Sequence, residues 1–192
     1  MTPTLDPSRT ALVLLDLQNG VVTMPTAPLS GEQVVAAATT LSARFRDLGA
    51  PVVTVSVAYP SGDGPPVDAP VPAMPEVMPP GWDEIVDGLA DPDTDIRIRK
   101  PGWGAFASTD LADVLRERGV DTIVVAGIAT NFGVEQTARE AVGCGFAVLV
   151  ASDATSSVSA EHHEFALTAI LPMIGRVRTV DELVRALGRA LS

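Results

Sequence analysis

Lysine is nearly missing from this chain: of its 13 basic residues 12 are arginine, and only Lys100 is lysine. Cysteine is as scarce. Cys144 stands alone, which excludes an internal disulfide framework and an all-cysteine metal cage. The two histidines, His162 and His163, are adjacent in one helical segment. On a helix they point about 100° apart and do not form a ligand pair. Asp63 is isolated, so no ligand set converges and neither an intrinsic metal nor another cofactor is expected. Positive charge is short too. Against 24 acidic residues it leaves a net charge of −11 with no Lys/Arg cluster, so no nucleic-acid partner is expected. Apolar runs stop at strand length, which gives no membrane span. The opening "MTPTLDPSRT" has no basic segment leading into an apolar one, so no secretory signal is expected and a cytoplasmic protein fits.

What is present is enough for one core. The 192 residues are 46% hydrophobic, which suits a single domain over 1–192. "ALVLLD", "PVVTVSVA", "DIRIRK", "DTIVVAG", "FAVLVASD" and "RVRTV" read as six strands. Between them lie helical segments, among them "GEQVVAAATTLSARFRDLG", which Ser30 can cap and Gly49 can end. "STDLADVLRERG" starts at a Ser108/Thr109 cap, and "GWDEIVDGLA" reads as a short helix. Residues 60–80 hold eight of the sixteen prolines and read as a long surface loop, a lid or an interface arm. Strands alternating with helices imply βαβ units, a parallel sheet and helices on both faces. Ligands of such folds bind beyond the carboxyl ends of the strands, where the winding reverses.

Three residues stand at those ends. Asp16 closes the first strand, Lys100 the third, and Gly133 lies just past the fourth, in "GIATNFGVEQTARE". Singly each has an ordinary role: a turn cap, a solvated strand-end lysine, a glycine that lets the chain bend. Together they bring a carboxylate, an ammonium and a helix N-terminus to one rim. In a chain otherwise built with arginine, the lone lysine fits a site that needs a compact point charge.

The blocks "ALVLLDLQNG", "KPGWGAFASTDL", "GIATNFGVEQTARE" and "SDATSSVSAEHHEFAL", in this order, resemble the isochorismatase-like hydrolase superfamily, which includes nicotinamidases, carbamoylsarcosine amidohydrolases and isochorismatases. The resemblance covers essentially the whole chain. It implies a three-layer α/β/α sandwich on a six-stranded parallel sheet, a small-molecule substrate and a homo-oligomer. It also implies a cis peptide between Ile128 and Ala129, and backbone N–H donors at Ala129 and Gly133 for an oxyanion. In the amidase branch the triad is Asp, Lys and Cys. Asp16 and Lys100 match it, while the cysteine position falls on Gly133. The pocket is expected to include Gln18, Trp103, Phe106, Thr130 and Asn131.

Without a thiol at 133 the covalent amidase route is closed. Cys144 lies 11 residues further on, about 16 Å along a helix, and reads as a packing residue. A Thr130 hydroxyl is nearer but needs a well-placed base. Isochorismatases proper also carry glycine at this position and use the aspartate as a general acid with water as nucleophile. They differ from this chain after the lysine, where their Arg and Tyr are replaced by Pro101, Gly102 and Trp103. Their glutamine-bearing loop is likewise absent from "YPSGDGPP". The residues therefore leave three readings open: a cysteine-less hydrolase with Asp16 transferring the proton, a silent small-molecule-binding protein, and an amidase disabled by loss of its cysteine.

Overall fold

The computed structural model describes residues 4–58, 67–68 and 78–187. Most of the proline-rich 60–80 stretch, with Asp63, lies outside them. The strands are β1 (Thr10–Leu15), β2 (Val52–Val57), β3 (Ile96–Lys100), β4 (Thr122–Ile128), β5 (Ala147–Ser156) and β6 (Arg176–Arg178). They form one six-stranded sheet in the order β3-β2-β1-β4-β5-β6, and every pairing is parallel. The chain winds outward from β1 to β3, crosses back, and winds the other way from β4 to β6. The reversal therefore falls between β1 and β4.

Period-two alternation sorts the strand side chains between two cores. Leu12 and Leu14 of β1 join one cluster with Val124 and Ala126 of β4. Helix α2 (Gly31–Asp47) and helix α7 (Val180–Leu187) supply Val34, Leu41, Phe45 and Leu183 to it. Ala11, Val13 and Leu15 face the other way with Val53, Val55 and Val125. There they meet Leu111 and Leu115 of α3 (Leu111–Glu117), Ala138 and Ala141 of α4 (Glu135–Gly143), and Leu171 of α6 (Leu171–Ile174). Helices cover both faces, giving the three-layer sandwich. The short helices α1 (Asn19–Val22) and α5 (Ala160–Phe165), with π-type turns over Thr130–Val134 and Ala166–Ile170, complete the described elements.

Ser30 caps α2 as expected. Its hydroxyl accepts from Gln33 N, and the Gln33 side chain accepts from Ser30 N, a full capping box. α3 begins at Leu111, whose N–H donates to Thr109 Oγ1 at 3.1 Å. The segment "GWDEIVDGLA" is not a helix. Its backbone serves the first loop instead: Glu84 O accepts from Asn19 N, Trp82 O from Gly20 N, and Val86 N donates to Leu17 O. Gly81 and Gly88, at φ +74° and +79°, bound it. Pairing with a distant segment takes the carbonyls that a helix would have used.

Candidate active site

Three chain ends meet at the winding reversal. Asp16 follows β1 with φ +56°, a left-handed conformation that Asp adopts more readily than most residues. Its N–H still bonds Val55 O at 2.8 Å, so the turn starts directly on the sheet. Lys100 ends β3 beside Val57 of β2, two strands from β1, and its long stem crosses that gap. Its Nζ donates to Asp16 Oδ2 at 2.8 Å, to Gly102 O at 3.0 Å and to Trp103 O at 2.7 Å. The ammonium has three N–H groups, and all three are engaged. The Lys100 side chain is 0% exposed and that of Asp16 8%. Gly133 completes the group. A Cβ built there would lie 3.0 Å from Asp16 Oδ2, 3.4 Å from Trp103 O and 3.6 Å from Lys100 Nζ. Burial pushes the Asp16 carboxyl up to about 6, against the lowering pull of the Lys100 ammonium. Asp16 Oδ1 has no hydrogen-bond partner.

The turn after β4 is shaped by short contacts. The Ile128–Ala129 peptide is cis, and Ala129 leads into a wide, π-type turn over Thr130–Val134 that runs on into α4. Thr130 is buried and its Oγ1 lies 2.8 Å from His163 Nδ1 of α5. Burial holds the His163 imidazole below its ordinary value. Asn131 Oδ1 accepts from Ser157 Oγ. Phe132 stacks at a tilt on Trp103, centroids 4.8 Å apart. The loop after Lys100 is pinned to α4 from below. Ala105 N donates to Thr137 Oγ1 at 3.2 Å, and Phe106 N and Ala107 N donate to Glu140 Oε2 at 2.8 and 3.1 Å. Thr137 and Glu140 were not singled out from the sequence. Their signal was a polar pair at i, i+3 on the face of α4 that should have been apolar.

Asp16, Lys100 and Gly133 thus come together, with Trp103 beside them. Two expected pocket residues stand elsewhere. Gln18 is fully buried and joins two chain segments, its Oε1 accepting from Val57 N at 2.7 Å and its Nε2 donating to Val57 O at 3.0 Å. A carboxamide has the donor and the acceptor that a strand end leaves over, so Gln18 extends β2. Phe106 is buried against Phe146, centroids 5.5 Å apart, in the core between the sheet and α4. Cys144 caps the far end of α4 and packs on that same core. Among the described residues no three Asp, Glu, His or Cys side chains gather as a metal-holding group.

The isochorismatase domain model matches residues 10–182. The uncharacterized isochorismatase family protein YecD of Escherichia coli O157:H7 is 46% identical over 187 residues, 95% of this chain and 98% of that protein. An isochorismatase family protein from Burkholderia thailandensis has a similar structure, with a TM-score of 0.90 and 43% identity over 98% of this chain and 100% of that one. A cysteine hydrolase from Pseudomonas syringae pv. phaseolicola 1448A superposes with a TM-score of 0.78 at 28% identity, covering 95% and 94% of the two chains.

Proposed function

This chain belongs to the isochorismatase family, and from that premise we propose that it hydrolyses a small molecule without a cysteine nucleophile, with Asp16 moving the proton and water attacking. The observation that carries the reading is the buried Asp16–Lys100 pair, 2.8 Å apart beside the Gly133 position, with one carboxylate oxygen unpartnered. A carboxyl pushed up to about 6 is protonated often enough near neutral pH to serve as a general acid. It gives its proton to the atom leaving the substrate. Water supplies the hydroxyl to the other fragment, and its second proton restores the carboxyl. Lys100 fixes the Asp16 rotamer and balances the carboxylate formed midway. In this reading the backbone N–H groups of Ala129 and Gly133 receive an oxyanion. Among the described residues no helix is long and apolar enough to cross a membrane. A lone, partly buried cysteine fits a cytoplasmic setting.

A panel of vinyl ethers, amides and ureides tests the reading. One class is expected to turn over, and Asp16→Asn is expected to lower kcat on it by roughly 10²–10⁴-fold, the value of a positioned proton-transfer group. Full activity in Asp16→Asn would place the chemistry elsewhere. Ligand binding without turnover of any class would make the protein a binding member of its family.

A further inference from the structure

Two of the three acceptors on the Lys100 ammonium, Gly102 O and Trp103 O, are backbone carbonyls of the irregular stretch between β3 and α3. Carbonyls hold a cation only as firmly as their own backbone is held. What holds this stretch is α4. Glu140 Oε2 accepts from Phe106 N at 2.8 Å and from Ala107 N at 3.1 Å. Thr137 Oγ1 accepts from Ala105 N at 3.2 Å. Three consecutive loop N–H groups thus end on two side chains at i, i+3 on one face of the helix. Gln136 Nε2 donates to Glu140 Oε1 at 3.0 Å and steadies the carboxylate from its own helix. The adjacent Arg139 pairs with Glu135 instead.

Gly104 is the counterpart of this clamp. A Cβ built there would lie 2.0 Å from Glu140 Oε1 and 2.3 Å from Glu140 Cδ. Its φ is not left-handed, so the backbone does not require glycine. The carboxylate does, because it fills the space where any side chain would begin. The same helix follows the turn that holds Gly133, whose Cβ position is 3.4 Å from Trp103 O. One element therefore fixes both sides of the centre, Gly133 at its entry and the Lys100 acceptors through Thr137 and Glu140.

We propose that Glu140 is a positioning residue: seated in the space left by Gly104, its carboxylate holds Gly102 O and Trp103 O on the Lys100 ammonium and keeps water from the Asp16–Lys100 pair. The proposal rests on reading that pair as the reacting centre. Lys100 is delivered by β3 and its side chain is fully buried, so a loosened loop leaves the ammonium within reach of Asp16. The ammonium then has fewer carbonyls to share its N–H groups, and water reaches a carboxyl that burial pushes up to about 6. Both changes favour the carboxylate, so Asp16 titrates lower. Lys100 is the charged group that acts on Asp16, and Glu140 reaches it through the loop.

The test titrates Asp16 by carbon-13 NMR in the full 192-residue chain. Aspartate is labelled at Cγ, and the Asp16 signal is identified by its loss in Asp16→Asn. Glu140→Ala removes the clamp, while Gly104→Ala keeps Glu140 but displaces its carboxylate. Each is expected to lower the Asp16 midpoint by at least about 0.5 pH unit. The double variant should fall no further than the larger single effect, since both act on one contact. Glu140→Gln removes the charge but keeps an oxygen for Phe106 N and Ala107 N, which share one oxygen in the parent. Its midpoint is expected within about 0.2 pH unit of the parent. A fall in Glu140→Gln equal to that in Glu140→Ala would mean that charge alone acts, and overturns the proposal. An unchanged midpoint in a folded Gly104→Ala protein overturns it too, and makes the clamp purely structural even if urea unfolding shows lost stability. Should Glu140→Ala not fold, Gly104→Ala and Glu140→Gln decide. These midpoints need no substrate, so they stand or fall apart from hydrolysis, which the substrate panel and Asp16→Asn decide.

Discussion

Lys100 and Asp16 are legible in the sequence because each breaks a local rule. One is the lone ammonium in an arginine chain, and the other is a carboxylate that ends an apolar strand. Residues whose role depends on distant partners are not legible this way. Gln18 looks like a polar pocket residue until β2 is seen beside it, 39 residues on. His163 looks like half of a divergent helical pair until Thr130 meets its ring across 33 positions. The Asp16 pair also sets a pH dependence, and its sign follows from burial. The carboxyl titrates near 3.8 when unfolded and near about 6 when folded. Between those values the folded chain holds the extra proton. Stability from Asp16 is therefore fullest below about 3.8, falls as pH rises through about 6, and is level above. Asp16→Asn cannot titrate. Its stability relative to the parent is expected to rise between about pH 4 and about pH 6.5, measured by urea unfolding of both proteins. A difference that stays constant across that range would show that Asp16 titrates normally. In turnover, a proton donor of this pKa predicts a rate that drops about tenfold per pH unit above about 6.

Elements are legible in the sequence where local and tertiary signals agree. α2 has a cap, an apolar stripe and a terminal glycine at φ +67°, and it spans Gly31–Asp47 as its sequence implies. "GWDEIVDGLA" has helical composition, but its carbonyls face the first loop and that pairing prevails. The strand ends divide in the same way. β4 reads as a plain buried strand, yet its register with β5 shifts between Val125 and Gly127. Gly127 adopts φ +130°, and a Cβ there would lie 2.0 Å from Leu15 O. Two substitutions should separate these cases by size. Ser30→Ala removes one cap and is expected to cost about 1 kcal/mol. Gly127→Ala meets both a disallowed φ and the backbone of β1, and is expected to cost more than about 3 kcal/mol or to prevent folding. Thermal or urea unfolding measures both. A Gly127→Ala protein as stable as Ser30→Ala would mean that the β1–β4 junction yields to a Cβ.

At the scale of the whole molecule, strands alternating with helices imply a parallel sheet covered on both faces, so the class is legible in the sequence, while the order β3-β2-β1-β4-β5-β6 is set by the tertiary structure. What one chain does not specify is its association. The outer side of the helical layer formed by α4, α5 and α6 exposes Val142 at 42%, Phe165 at 60% and Met173 at 83%. Apolar side chains of that size on neighbouring helices are the kind of surface that a second copy covers. A homo-oligomer is therefore expected, with this layer as a contact face. The proline-rich 60–80 stretch, read from sequence as an interface arm or a lid, falls mostly outside the described residues, so the expectation stands on the helices alone. Light scattering at about 50 µM, tight enough to populate a contact with a micromolar Kd, should give a multiple of the 19.9 kDa chain mass. Phe165→Ser with Met173→Ser should lower that mass while leaving the folded core intact, since both side chains point to solvent in the single chain. A parent mass of 19.9 kDa at that concentration would end the idea. An oligomer indifferent to both substitutions would move the interface to another face.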